Sequence, residues 1–508
     1  MNKNSYRIIY SKARQMFVAV AENVRSQTKT SGQSEASTQN NIIDNTESQA
    51  FHQLWQVKAL VASISLWMPL APVYAGIVAD SAANAANRAV IGAGKNSAGT
   101  VVPVVNIQTP KNGISHNIYK QFDVLAEGAV LNNSRQGATT KTVGNVAANP
   151  FLATGEARVI LNEVNSSAAS RFEGNLEVAG QMADVIIANP SGISIKGGGF
   201  INANKAIFTT GKPQLNADGS IKQFTVDQGK ITVSANPNSK FGLGGNNNEA
   251  NYVDLYARAL ELSAELRAKN DIQVIAGANN VSADLQDVTA KTGTGTAPTL
   301  AVDVKALGGM YANNIYLMGT EKGLGVTNAG TIQAVNNLVI TSAGKIENKG
   351  TMSSTSASQS LVNIQTTGTG TSGDINNSGT VSGKGIVNLD SANDLNVTEN
   401  AIKVEVGVNS PLILNAKGNI NIASKANIRN YSTDQGDIYL NSKNISIGDN
   451  SIVGGNGSTF LNAVESISTG KATEISGRYQ LNLAAGKQIK TNGTHLTGYK
   501  ESINIQSN

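Results

Sequence analysis

Asn328-Ala-Gly-Thr-Ile332 returns as Asn348-Lys-Gly-Thr-Met352 and again as Asn377-Ser-Gly-Thr-Val381. Repetition at about twenty residues restricts the chain more than any local propensity, because a unit that short cannot bury an inner face alone and has to stack on its copies. The second interval is 29 residues against 20 for the first, and it contains TSASQS and TTGTGTSG. Such Ser/Thr/Gly tracts loop out of a coil at small entropic cost.

Short alternating segments accompany the repeat: NLVIT at 337, LVNIQ at 361, GIVNLD at 385, LILNA at 412, NINIA at 419, DIYLN at 437 and NISIG at 444. Period-two alternation bounded by Gly, Asn and Asp predicts strands. Stacked strands closing a narrow core make an all-β parallel β-helix. Aromatic residues are only 5%, which suits a thin core of Val, Ile, Leu and Ala. The repeat residues Asn328, Gly330, Asn348, Gly350, Asn377 and Gly379 are expected at corners, tolerating left-handed backbone. Roughly twenty coils at ~4.8 Å predict a rod of about 90 to 100 Å. Residues 251–270 place Leu255, Ala259, Leu262 and Leu266 at helical spacing, but the same residues fit two alternating strands, and the β neighbours on both sides favour strands. Ile186 is expected to be buried.

The N-terminus reads as an address. Residues 1–75 open on the basic, aromatic MNKNSYRIIYSKARQMFVAVAE and end in VKALVASISLWMPLAPVY before Ala75. The apolar run is short and broken by proline, which favours an export signal cut between Ala75 and Gly76 over a retained anchor. The working protein then starts at Gly76 and keeps no stable membrane span.

Charge and residue inventory exclude several functions. From residue 76 onward 33 Lys and Arg face 31 Asp and Glu, so no basic face exists to displace counterions from nucleic acid. No cysteine is present, which removes disulfides, thiol nucleophiles and Cys zinc sites. His116 and His495, the only histidines beyond the leader, are read as structural, and no metal site or cofactor is expected. Catalysis on a β-helix needs acidic clusters on one face. Asp374, Asp390, Asp394 and Asp437 instead fall near turns, where their side chains are expected to bond local backbone. Gly92-Ala-Gly-Lys95-Asn96 lacks the first Gly and the Ser or Thr of a phosphate loop. The chain is expected not to be an enzyme.

The stretches VVNIQTPKNGISHNIYKQFDV (104–124), AVLNNS (129–134), NPFLATGEARVILNEVNSS (149–167) and LEVAGQMADVIIANPSGISIKGGGFINANKAIFTTGKP (176–213) together resemble the secretion domain of the filamentous haemagglutinin family. The leader resembles the extended signal peptide of two-partner secretion exoproteins. That resemblance implies a right-handed parallel β-helix with an N-terminal cap, recognised in the periplasm by a dedicated outer-membrane transporter with POTRA domains. It also implies a secreted or cell-surface adhesin of a Gram-negative bacterium, acting on an unidentified host or neighbouring-cell receptor. The alternative is the stem of a contact-dependent growth inhibition toxin, or a cytolysin, without its C-terminal effector. Residues 1–75 are the expected signal peptide, 76–320 the secretion domain and 321–508 haemagglutinin-type repeats. The last residues, ESINIQSN, keep the strand pattern, which leaves an unpaired edge and suggests a truncated or split product.

Two Asn-Pro turns carry the recognition question. Asn189-Pro190-Ser191-Gly192 has the residues of a type I turn, whereas Asn149-Pro150-Phe151-Leu152 lacks the terminal Gly. Proline stiffens both. A folding role is weighed against direct presentation to the transporter, with secretion affected in either case. Where some relatives of this pattern carry paired cysteines, Ile195-Lys196-Gly197-Gly198-Gly199-Phe200 stands here. Loops at 291–300, 353–360 and 366–373 are candidates for receptor contact or simple decoration.

Overall fold

The computed structural model describes residues 6–11, 16–21, 76–357, 360–398, 401–405, 407–433, 436–500 and 502–507. Two compact units divide the chain, residues 1–73 and 74–508. In the first, Tyr6–Ser11 pairs antiparallel with Met16–Ala21. The expected signal core and Ala75 lie outside the described residues.

The second unit is a β-solenoid of about 16 turns. Its longest ladder starts at Ile114–Phe122 and climbs in parallel register through Val159–Val164, Ala183–Ala188 and Ala203–Thr209 to Ser502–Ser507. Two further ladders complete the coil, one through Gly325–Asn328, Ile346–Asn348 and Ile375–Asn377, the other through Thr331–Ser342, Thr351–Ser354 and Thr380–Gly383. Alternation decides which side chains enter the lumen: along Leu361–Thr366, Val362, Ile364 and Thr366 are buried and their neighbours half-buried. One apolar core runs from Ile77 to Ala485 without a break at residue 320. All seven predicted strand segments are strands, and residues 251–270 form Tyr252–Ala257, Ala259–Leu262 and Glu265–Arg267. Leu255, Leu262 and Leu266 face the core.

The rod is shorter than twenty coils. Fifteen strands stack in the longest ladder, which at ~4.8 Å per rung gives about 70 Å. Coils vary in length, as Ile332 pairs with Met352 but Met352 pairs with Val381. Other residues leave the coil altogether. Lys212–Leu215, Ile221–Val226, Asn279–Ser282 and Val288–Ala290 form an antiparallel sheet laid on the outside of the helix. It covers a second core in which Phe224, Val226 and Val281 meet Leu161, Ile186, Tyr256 and Ile275. Ile186 is buried as expected, at 2% exposure, but under this outer sheet and not in the lumen.

At the start of the rod Ile77–Ala79 runs antiparallel to Ile114–Phe122, and the hairpin Val90–Lys95 with Val101–Asn106 joins Ala129–Asn133. These strands pair the first exposed edge and form the cap.

The repeat residues serve a purpose other than left-handed corners, since none of the six has a positive φ. Asn328, Asn348 and Asn377 are buried and joined amide to amide, Asn328 Nδ2 donating to Asn348 Oδ1 at 2.8 Å and Asn348 Nδ2 to Asn377 Oδ1 at 2.7 Å. Glycine is required beside them for closeness. A Cβ on Gly350 would stand 2.0 Å from the Gly330 carbonyl oxygen, and one on Gly379 2.1 Å from that of Gly350. The Asp expectation also changes. Asp374, Asp394 and Asp437 accept from backbone N–H groups of the following coil, at Asp394, Asn419 and Ser458, which ties successive coils together. Asp390 stands near the end of strand Ile386–Ser391, two residues before a bend, and accepts from Gln365 Nε2 of the preceding coil.

Candidate functional site

The two Asn-Pro turns share one construction. At the first, Pro150–Leu152 is a single 3-10 turn whose first position holds proline, where a missing N–H costs nothing. Asn149 Oδ1 accepts from Phe151 N–H at 3.0 Å, while Asn149 Nδ2 donates to the carbonyls of Ile107 and Asn132, both at 2.9 Å. Leu152, where the expected turn lacks its Gly, points into the core. The second turn closes with Gly192 N–H donating to Asn189 O at 3.0 Å. Asn189 Oδ1 accepts from Ser191 N–H, and Asn189 Nδ2 donates to Ala168 O and Ser170 Oγ, both at 3.0 Å. Gly192 has φ +112°, a conformation that side chains oppose.

Each asparagine is therefore a bracket. Asn149 is 3% and Asn189 0% exposed, so neither amide is available to a partner. Both satisfy carbonyls that burial would otherwise leave costly. What the turns present outward is Pro150, exposed, with Phe151, Pro190 and Ser191 half-buried. The two turns tie different segments, residues 107 to 134 for the first and 166 to 170 for the second. Gly76 is buried with φ +119°, and its carbonyl accepts from Asp123 N–H at 2.7 Å.

Other buried brackets carry no clear mark in the sequence. Asn133, in the segment AVLNNS, pairs its amide with both N–H and O of Ala157. Its Asn-Asn doublet beside two apolar residues was the available signal. Arg258 and Glu321 form a two-pronged ion pair at 2.8 and 3.1 Å, and Arg258 also donates to Thr294 O. The hydrogen bond that Arg258 donates to Glu321 holds that carboxyl below its ordinary range. No local pattern announces a pair 63 residues apart. Asp254, under the outer sheet, is pushed up by burial, while Lys205 and Tyr256 oppose the shift.

The model of the TPS secretion domain family matches residues 75–348, which contain both turns, the cap and the outer sheet. The chain belongs to that family. A second family model, the extended signal peptide of the type V secretion system, matches residues 1–42. The protein is thus a two-partner secretion exoprotein, secreted or surface-exposed in Gram-negative bacteria. Curated relatives include a Toxin CdiA of Yersinia pestis, 40% identical over 392 residues, covering 76% of this chain and 11% of that protein. A 16S rRNA endonuclease CdiA of Enterobacter cloacae is 40% identical over 340 residues, covering 66% and 10%. A tRNA nuclease CdiA-2 of Burkholderia pseudomallei is 35% identical over 361 residues, covering 68% and 10%. The chain spans about a tenth of the length of these relatives. Among solved structures, a filamentous hemagglutinin secretion domain is similar at 30% identity with a TM-score of 0.47, covering 63% of this chain and 97% of that one.

Proposed function

We propose that this chain is the exported stem of a surface protein, its coils presenting an adhesive or toxic activity to a host or neighbouring cell. Identity with toxin relatives that extend far beyond the matched segment favours the contact-dependent toxin stem over a free-standing adhesin. In this reading the described coils have no catalytic task, Ala75-Gly76 is the cleavage point, and residues 76–320 lead a rod continued by residues 321–508. The transporter partner engages the secretion domain through POTRA domains.

The observation that carries the recognition part is the burial of Asn149 and Asn189 beneath outward-facing prolines. Asparagine builds the turn, and Pro150 with Pro190 and Ser191 forms the surface that the transporter reads. Export of the full chain with and without its transporter tests this, alongside Asn189→Ala and Pro150→Glu. Asn189→Ala is expected to lower export together with protease resistance. Pro150→Glu is expected to lower export while resistance stays at the wild-type level. Wild-type export of Pro150→Glu defeats the recognition reading, and export that ignores the transporter defeats the two-partner role of the turns.

A further inference from the structure

A groove of about 720 Å³ runs along the C-terminal coils, on the face of the longest ladder. Its floor is one outward column in strict register. Asp390 pairs with Asn415, Asn415 with Asn441, Asn441 with Asn462, Asn462 with Ala484, and Ala484 with Gln506. Asn441 Nδ2 donates to Asn415 Oδ1, and Asn462 Nδ2 to Asn441 Oδ1, both at 2.9 Å. A primary amide has two N–H groups and two oxygen lone pairs. The ladder occupies one of each on Asn441, so that rung still offers one donor and one acceptor. Ala484 stands where a further Asn would continue the column, and its small side chain leaves the room that opens the groove. Lys417 and Lys443 line it, both exposed, and Val464 adds an apolar surface at 74% exposure.

We infer that this groove binds a linear, hydroxyl-rich oligosaccharide laid along the rod axis. Hydroxyls both donate and accept, as the amide column does. The exposed Val464 suits the apolar face of a sugar ring. Spacing separates this ligand from an extended peptide. The rungs repeat at ~4.8 Å, close to the advance of one pyranose unit, so each ring meets a rung, whereas an extended peptide advances about 3.4 Å per residue and falls out of step. Five rung intervals from Asp390 to Gln506 give a track of about 24 Å, enough for a short chain of rings.

The inference rests on the reading of the rod as a displayed surface, and the two are separable because binding is measured on purified full chain and export in cells. The probes are cellohexaose and a Gly-Ser hexapeptide, followed by ligand-observed NMR and calorimetry. Cellohexaose is expected to bind, with affinity lowered about tenfold or more by Ala484→Trp, which fills the groove, and about fivefold by Asn462→Ala, which removes one hydrogen-bonding rung. Asn396→Ala, in another ladder, is expected to change nothing. Thermal unfolding of each variant verifies folding, and Asn462→Ala serves if Ala484→Trp does not fold. No binding of cellohexaose, equal binding by folded variants, or preference for the peptide overturns the inference. Lost transporter-dependent export with binding intact overturns only the display reading.

Discussion

Replacing Asn348 by alanine removes the middle rung of the buried amide ladder. Three hydrogen bonds end there: Asn348 Nδ2 to Asn377 Oδ1 and to Thr380 O, and Asn328 Nδ2 to Asn348 Oδ1. At about 1 kcal/mol net each, with an added penalty for the Asn377 oxygen left buried without its donor, the loss comes to about 3 to 4 kcal/mol. In a solenoid, destabilisation is felt first in the coil and its neighbours. Opening there is therefore expected to become about a hundredfold or more easier. Hydrogen exchange measured by mass spectrometry on the full chain reads this directly, as faster exchange at residues 346–354 and 375–383 with the far coils unchanged. Asn376→Ala is the matched control, since Asn376 is half-buried and its amide ladder faces outward. Exchange in Asn348→Ala equal to that of the control refutes the assignment of stability to the buried ladder.

Gly350→Ala places a methyl 2.0 Å from the Gly330 oxygen and is expected to cost about 3 kcal/mol, read as a lowered unfolding midpoint. Ile186→Asp puts an unpaired carboxylate under the outer sheet; protease cleavage within residues 212–226 is expected while the lumen strands stay protected. Glu321 has a depressed pKa, so its pairing with Arg258 stabilises fully above about pH 4.5 and fades as pH falls through the lower folded value. In Glu321→Gln that part of the acid dependence is expected to disappear from an unfolding-versus-pH series. Asp254 has the opposite sign: burial raises its pKa, so its ionisation opposes folding as pH rises, and in Asp254→Asn that part of the pH dependence is expected to disappear from thermal melts.

Periodicity made the rod legible because lumen and solvent alternate along every strand, as Leu361–Thr366 shows. The same periodicity hid the outer sheet. Phe224 and Val281 alternate just as lumen residues do, and period two does not say whether a strand pairs parallel within a coil or antiparallel outside it. Counting residues into equal coils therefore overestimated the length of the rod. The sequence marks Asn328, Asn348 and Asn377 as a repeat, but corner geometry is not what the repeat serves. Their spacing places them in register, and register turns a polar residue into a ladder. Asn149 and Asn189, each followed by proline, mark turns in the sequence. Their burial depends on carbonyls from other segments, at Ile107, Asn132 and Ala168, which no local rule could supply.

The antiparallel strand Ile77–Ala79 closes the first coil, while each later coil offers a parallel edge to the next. Coils added in chain order thus meet one open edge, that of the coil before. Pairing extends from that edge and not past the sealed first coil, which gives the stack a polarity that needs no cross-link in a chain without cysteine.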